Sequence, residues 1–365
     1  MTKKKVLFTA KVDSHIRHFH LPYIKLFHDQ GYVVHVASEG DTLFQDSDAK
    51  FDISFGTNPF SRQVIESYKT LKQIMVENEY DVIHTHTAIA SVLTRLAARS
   101  VNKKQAKHTR VIYTAHGFHF LKGGSKLSWI LYYPIERFLA RYTDDLILIN
   151  QEDFDLAERH AMAKHRYLVH GVGVDLEKFK PLQRKRNTHD FTISYVAELN
   201  KNKNQILLLE SVKILKAKGY ELKVNLIGEG ANREVLEQYI TENHLRDNVS
   251  LLGYRTDVSQ ILDVTDLVVA TSLREGLPVN IIEAMSKGLP LVVTQCRGHV
   301  DLVKNGVNGF VVPYDAEVLA DRIETLMNDL PLREQFAIEN LSCAKLYEID
   351  TIVKRMSEIY FLNRD

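Results

Sequence analysis

The chain has 365 residues, 45% hydrophobic and 25% charged, more than one core usually supports, and this predicts two globular domains rather than a disordered or fibrous protein. Its net charge of +1 is split: residues 1–182 carry 25 Lys and Arg against 20 Asp and Glu, and the remainder 22 against 26. That balance is too even for a nucleic-acid partner, although the mildly basic first half suits an anionic surface, and two cysteines, Cys296 and Cys343, exclude a disulfide framework.

The start, "MTKKKVLFTAKVD", is basic, but Lys11 and Asp13 interrupt its apolar run short of signal-peptide length. No apolar stretch reaches the ~20 residues that span a bilayer, so a cytoplasmic location is expected. "KVLFTA", "YVVHVAS", "DVIHTH", "RVIYTA", "DLILIN" and "RYLVHGV" read as successive strands, with helical stretches such as "LPYIKLFHDQG" and "SVLTRLAARS" between them. That alternation predicts a parallel, doubly wound sheet. "RLAARSVNKKQAKHTR", Arg95 to Arg110, has six Lys or Arg and no acid, and reads as a solvated helix end and loop. The polar, basic "PLQRKRNTHD", Pro181 to Asp190, marks a boundary between domains 1–182 and 183–345. The rhythm then restarts with "FTISYVAEL", "LKVNLIGEG", "VSLLGY", "DLVVATS" and "PLVVTQC". Residues 346–365 have helical spacing and are placed to pack back on the first domain.

"LREGLPVNIIEAMSKGLP", Leu273 to Pro290, follows a buried strand and opens a helix that ends at Gly288, with Pro278 in the first turn. The loop lies at the carboxyl edge of the sheet, where open α/β sheets bind ligands. Free N–H groups around Gly276, Leu277 and Val279, with the helix dipole, suit a phosphate or diphosphate. Glu283, about one and a half turns in, can accept hydrogen bonds from two vicinal hydroxyls. The plainer alternative makes Glu275 a complement to the helix dipole and Glu283 a solvated helix residue.

Six runs in order, "DVIHTHTAIA", "IYTAHGFHF", "DDLILINQEDF", "VHGVGVDLEKF", "LIGEG" and "REGLPVNIIEAMSKGLPLVVT", resemble the family 4 glycosyltransferases, retaining enzymes with an E-x7-E signature. The likeness is closest to members that build capsular, exopolysaccharide or lipid-linked oligosaccharides. It implies an α/β fold of the GT-B type, with two tandem Rossmann-like domains facing a central cleft, acceptor on the first and nucleotide sugar on the second. It places Glu283 on the nucleotide ribose, Glu275 beside the transferred sugar, and Gly276, Leu277, Pro278 and Val279 against the sugar or diphosphate. His116 in "TAHGF" matches the family histidine close to the donor sugar. Lys203 matches the lysine that neutralises the leaving diphosphate, but Glu198 stands where an arginine is expected, so Lys201 is the substitute cation. Gly228 and Gly230 lie beneath the donor, and Arg255 is counted among the donor contacts. Where many members carry a glycine-rich "GG" loop, this chain has Asp13, Ser14 and His15, expected to touch acceptor or donor.

The resemblance implies transfer of a hexose or N-acetylhexosamine from a UDP-sugar to a lipid-linked glycan acceptor, by a protein peripheral on the inner face of the membrane. The stretch "FHFLKGGSKLSWILYYPIERFLARY" reads either as a core helix or as an interfacial surface for such an acceptor. No cofactor and no metal are expected: "DSD" and "DFD" sit in the wrong local context for a metal-binding D-x-D. The histidines at 15, 18 and 20 and at 84 and 86 have no cysteines or matching carboxylates nearby. A lone G-x-G in "IGEG" is too weak for a dinucleotide site. The alternatives are a sugar-nucleotide epimerase of the same architecture, needing no acceptor, and a non-catalytic sugar-nucleotide-binding subunit, suggested by Glu198.

Overall fold

Every strand pairing is parallel, and the strands form two separate sheets. The computed structural model describes residues 3–56, 61–122, 124–181 and 191–362. Its first compact unit comprises residues 1–173 and 350–365, and its second residues 174–349. The boundary expected from "PLQRKRNTHD" lies, apart from Pro181, outside the described residues. The units instead divide before Val174, because Val174 bridges to Glu348 and Phe179 packs into the second core.

The first unit runs β1 (Lys5–Val12), α1 (Asp13–Phe19), α2 (Leu21–Asp29), β2 (Val33–Glu39), β3 (Ala49–Asp52), α3 (Arg62–Asn78), β4 (Val82–His86), α4 (Ala88–Asn102), β5 (Arg110–Ala115), α5 (Lys126–Leu139), β6 (Asp145–Leu148), α6 (Gln151–Arg159) and β7 (His165–Leu168). Its sheet has the order β3-β2-β1-β4-β5-β6-β7. The second unit runs β8 (Phe191–Val196), α7 (Gln205–Ala217), β9 (Leu222–Ile227), α8 (Arg233–Glu242), β10 (Val249–Gly253), α9 (Val258–Asp263), β11 (Leu267–Ala270), α10 (Val279–Ser286), β12 (Leu291–Thr294), α11 (His299–Leu302), β13 (Phe310–Val312), α12 (Ala316–Asn328) and α13 (Leu330–Ala344). Its order is β10-β9-β8-β11-β12-β13. Strands β11 and β12, LVVA and LVVT, are buried along their whole length, as parallel strands covered on both faces must be. The two strands that hydrophobic patterning misses, AKFD and FVV, are the short outer ones, β3 and β13, where one neighbour suffices and apolar runs are not required.

The last helix, α14 (Ile349–Tyr360), belongs with the first unit. Ile352, Met356, Ile359 and Tyr360 recur at helical spacing and enter the core with Phe8 and Phe27. Arg110 donates to the carbonyls of Tyr360 (2.5 Å) and Ile359 (2.7 Å), capping that helix end, and pairs at 2.6 Å with fully buried Asp145. The Tyr360 hydroxyl and His84 Nδ1 share a hydrogen bond of 2.9 Å. The basic run Arg95–Arg110 is thus not all solvated: Arg95 is 1% exposed, ion-paired to Glu136 at 2.9 Å and stacked 4.2 Å over the Tyr113 ring. Arg110→Ala is expected to cost about 3 kcal/mol, the usual loss on removing one partner of a buried pair. A urea titration would show it, with faster amide exchange in α14; Arg110→Lys recovers only part, since one ammonium cannot serve three acceptors in that geometry.

Candidate active site

Each sheet reverses its strand order once, between β1 and β4 and between β8 and β11, and loops at the carboxyl ends of strands separate there. In the second unit the loop after β8 is tied to the loop after β11. Tyr195 and Thr271 hydroxyls donate to the Lys203 carbonyl, the Leu273 amide donates to the Asn202 carbonyl, and the Asn202 side chain donates to the Arg274 carbonyl. Asn204, in the left-handed region at φ 51°, then turns the chain into α7. The outcome is a short ion pair: Lys203 Nζ lies 2.6 Å from Glu275 Oε1, both side chains largely shielded.

A third loop, after β12, closes on the same point. Arg297, 5% exposed, donates from Nε to the Glu275 carbonyl at 3.0 Å. Gly298, at φ 83°, lies so close that a Cβ would sit 2.7 Å from the Gly276 oxygen and 2.8 Å from the Glu275 Cβ. Buried His299 bonds through Nδ1 to the Thr294 carbonyl and leaves Nε2 without a partner among the described residues; burial holds it down to about 4. Burial, followed by the Glu275 charge, pushes the neighbouring Cys296 thiol up to about 12, so it stays protonated. Sequence reasoning passed over Arg297 and His299, although "PLVVTQCRGH" repeats the strand, loop and helix of the glutamate motif.

Helix α10 begins at Val279, and Pro278 takes the extended N-cap position rather than the first turn. Among the described residues the amides of Gly276, Leu277 and Val279 have no backbone acceptor. Asn280 anchors the helix start by donating to the Val196 carbonyl, at the end of β8. Glu283 is not a freely solvated helix residue: it is half-buried, its carboxyl has no hydrogen-bond partner among the described residues, and burial raises it to about 7, opposed by Lys178.

The remaining candidates are dispersed. Glu198 and Lys201 are exposed, and Gln205 holds the Glu198 carbonyl, so the misplaced carboxylate is turned out to water. Arg255 follows strand β10 at the sheet's outer edge, closed onto Asp257 through two contacts of 2.8 and 2.5 Å. Gly228 and Gly230 are required by backbone packing, since a Cβ would meet the carbonyls of Ala197 and Leu199 at 2.0 and 2.3 Å.

In the first unit Asp13 is committed internally. It accepts from the Ser38 hydroxyl and the Thr42 amide and pairs with Lys50 at 3.1 Å. Burial alone would raise its carboxyl, but these partners hold it below the ordinary range. Ser14 is exposed and its carbonyl bonds to His18. His15 Nε2 lies 3.3 Å from His116 Nε2, a hydrogen bond between neutral rings, with His15 depressed to about 4 by burial and then by His18. His20 and His86 stack beside them at 3.6 Å.

Two parallel Rossmann-like layers of this topology are those of the GT-B glycosyltransferases. A solved structure of the HepE protein of Anabaena, in complex with UDP and glucose, shares the fold with a TM-score of 0.79 at 21% identity, over 98% of this chain and 99% of that one. Residues 177–340 match the family "Glycosyl transferases group 1" and residues 5–150 the family "Glycosyl transferase 4-like". The chain is 39% identical over 369 residues to EpsD of Bacillus subtilis (strain 168), which carries a glycosyltransferase name, covering 98% of this chain and 96% of that protein. It is 32% identical over 321 residues to the UDP-Gal:alpha-D-GlcNAc-diphosphoundecaprenol alpha-1,3-galactosyltransferase of Escherichia coli, covering 82% and 78%. The chain belongs to the family 4 glycosyltransferases.

A raised carboxyl has a signed effect on stability. With Glu283 at about 7 in the folded chain and near 4.5 unfolded, burial costs nothing below pH 4.5, increasingly more from there to pH 7, and a constant amount above. Relative to Glu283→Gln, the wild type should therefore lose thermal stability between those limits and then run parallel. Melting curves from pH 4 to 8.5 test this; a constant offset would mean the carboxyl titrates normally.

Proposed function

We propose that this glycosyltransferase moves a hexose or N-acetylhexosamine from a UDP-sugar, with retention at the anomeric carbon, to a lipid-linked glycan in surface-polysaccharide assembly. The observation that carries the donor site is Glu283: a shielded carboxylate with no described partner on the second turn of α10, suited to two ribose hydroxyls. The amides of Gly276, Leu277 and Val279, which have no backbone acceptor among the described residues, and the helix dipole suit the diphosphate. The galactosyltransferase relative, whose name specifies UDP-galactose and a diphosphoundecaprenol-linked acceptor, supports the donor and acceptor classes.

In the reaction the acceptor oxygen bonds to the anomeric carbon as the bond from that carbon to the diphosphate breaks, and the acceptor proton passes to the departing phosphate. Lys203 has three donors, so it can hold Glu275 and still reach a phosphate oxygen, neutralising charge as it develops. Glu275, fixed by Lys203 and by Arg297 at its own carbonyl, orients the sugar hydroxyls.

Acceptor access fits α5. Leu127, Ile130, Leu131, Ile135 and Phe138 form an exposed apolar stripe, 70%, 72%, 52%, 40% and 43% accessible, flanked by exposed Lys122, Lys126, Arg137 and Arg141. An apolar face rimmed with cations suits an anionic lipid surface, and no helix of the described residues is long and apolar enough to cross a membrane.

Two measurements test these assignments. Calorimetry should show UDP binding in preference to GDP and ADP, weakened roughly 10- to 150-fold in Glu283→Ala, equivalent to about 1.5–3 kcal/mol for a lost charged acceptor. Equal binding by the variant would remove the donor site from α10. In sedimentation with phosphatidylglycerol vesicles, the chain should bind, bind less at high salt, and lose binding in the Leu127→Glu/Ile130→Glu pair. Unchanged binding of that pair would remove α5 from the membrane contact.

A further inference from the structure

Five histidines crowd the carboxyl ends of β1, β4 and β5, and one of them is fully accounted for. His84 bonds through Nε2 to Thr114 at 2.8 Å and through Nδ1 to Tyr360 at 2.9 Å. The other four converge: His15 and His20 on the segment after β1, His86 closing β4, and His116 just past β5. One ring nitrogen from each lies within 4.8 Å of the rest. His20 and His86 are 1% and 0% exposed, and among the described residues neither nitrogen of either ring has a hydrogen-bond partner. Interior polar atoms are nearly always paired, and a neutral imidazole always brings one donor and one lone pair. The two lone pairs among these four unmatched atoms, in adjacent stacked rings, call for something they can bind. Protonation does not supply it, because burial and then the neighbouring rings hold His20, His86 and His116 well below their ordinary value.

We propose that His15, His20, His86 and His116 together bind one divalent transition-metal ion, zinc foremost. The donor set is all imidazole, without carboxylate or thiolate, which suits zinc and its first-row neighbours and not magnesium or calcium. Tetrahedral zinc at about 2.0–2.1 Å from each ligand spaces the ligand atoms about 3.4 Å apart. His15 and His116 already stand at 3.3 Å, and all four ligand atoms lie within 4.8 Å of one another. With four protein ligands the ion is structural, fastening the segment that bears α1 and α2 to the ends of β4 and β5. His18, exposed and bonded to the Ser14 carbonyl, stays outside the set. Sequence spacing groups His15 with His18 and His20, and His84 with His86; only the fold exchanges His18 and His84 for His116. The proposal leaves Lys203, Glu275 and Glu283, all in the other unit, untouched, and assigns His15 and His116 to the ion rather than to the sugar contacts that the resemblance implies.

The test uses the full chain with its affinity tag removed, stripped by chelator and titrated with Zn2+ or Co2+. Expected are about one ion per chain by elemental analysis, the visible bands of tetrahedral cobalt, and a zinc X-ray absorption spectrum with nitrogen and no sulfur scatterers. His15→Ala, the change at a half-buried position, should weaken zinc by at least about tenfold, the loss seen for even an outer partner, while His18→Ala binds as the wild type does. Should His15→Ala fail to fold, the stoichiometry and absorption spectrum of the wild type still decide. Substoichiometric metal, sulfur scatterers from Cys296 or Cys343, or unweakened binding by folded His15→Ala would each overturn the proposal.

Discussion

The ion pair between Lys203 and Glu275 is the contact on which the second unit's site depends. It is possible only because β8 and β11, distant in sequence, are neighbours in the sheet, so that their following loops emerge side by side. Hydrogen bonds from Tyr195, Thr271 and Asn202 hold the backbones of both loops, and Arg297 adds a third strand end. The charges therefore meet without either side chain having to search for the other, and little conformational entropy remains to be lost when a ligand arrives.

Two glutamates eight positions apart meet different surroundings. Glu275 has a lysine at hydrogen-bond distance; Glu283 is half-buried, and burial, opposed by Lys178, raises it to about 7. In a low-dielectric setting an unmatched carboxylate is costly, and folds retain such groups where a ligand completes them. The same logic separates His84, bonded at both nitrogens, from His20 and His86, bonded at neither.

The departures from the family pattern acquire physical content in the fold. Glu198, which stands where the family pattern has an arginine, is exposed, so its carboxylate is solvated rather than buried in the loop after β8. Asp13, where a glycine-rich turn is usual, is spent on Ser38, Thr42 and Lys50; a Cβ at Gly40 would stand 2.4 Å from its carboxylate, so the two positions are coupled. Helix α5 keeps its apolar stripe outward, which distinguishes it from the buried strands whose composition it resembles.

Hydrophobic patterning by itself determined eleven of the thirteen strands among the described residues, the repeated α/β layers and the strand, loop and helix around Glu275, because buried parallel strands must be continuously apolar and helix ends need recognisable caps. The ordered motifs also determined the family. Only the tertiary structure decided which polar groups meet. It paired Lys203 with Glu275 across 72 positions, carried Arg297 to the Glu275 carbonyl, moved Arg255 to the sheet's edge and drew His116 beside His15 across 101. Local pattern reports how each segment partitions between water and core; pairing between distant side chains depends on strand order, and strand order is a property of the whole sheet.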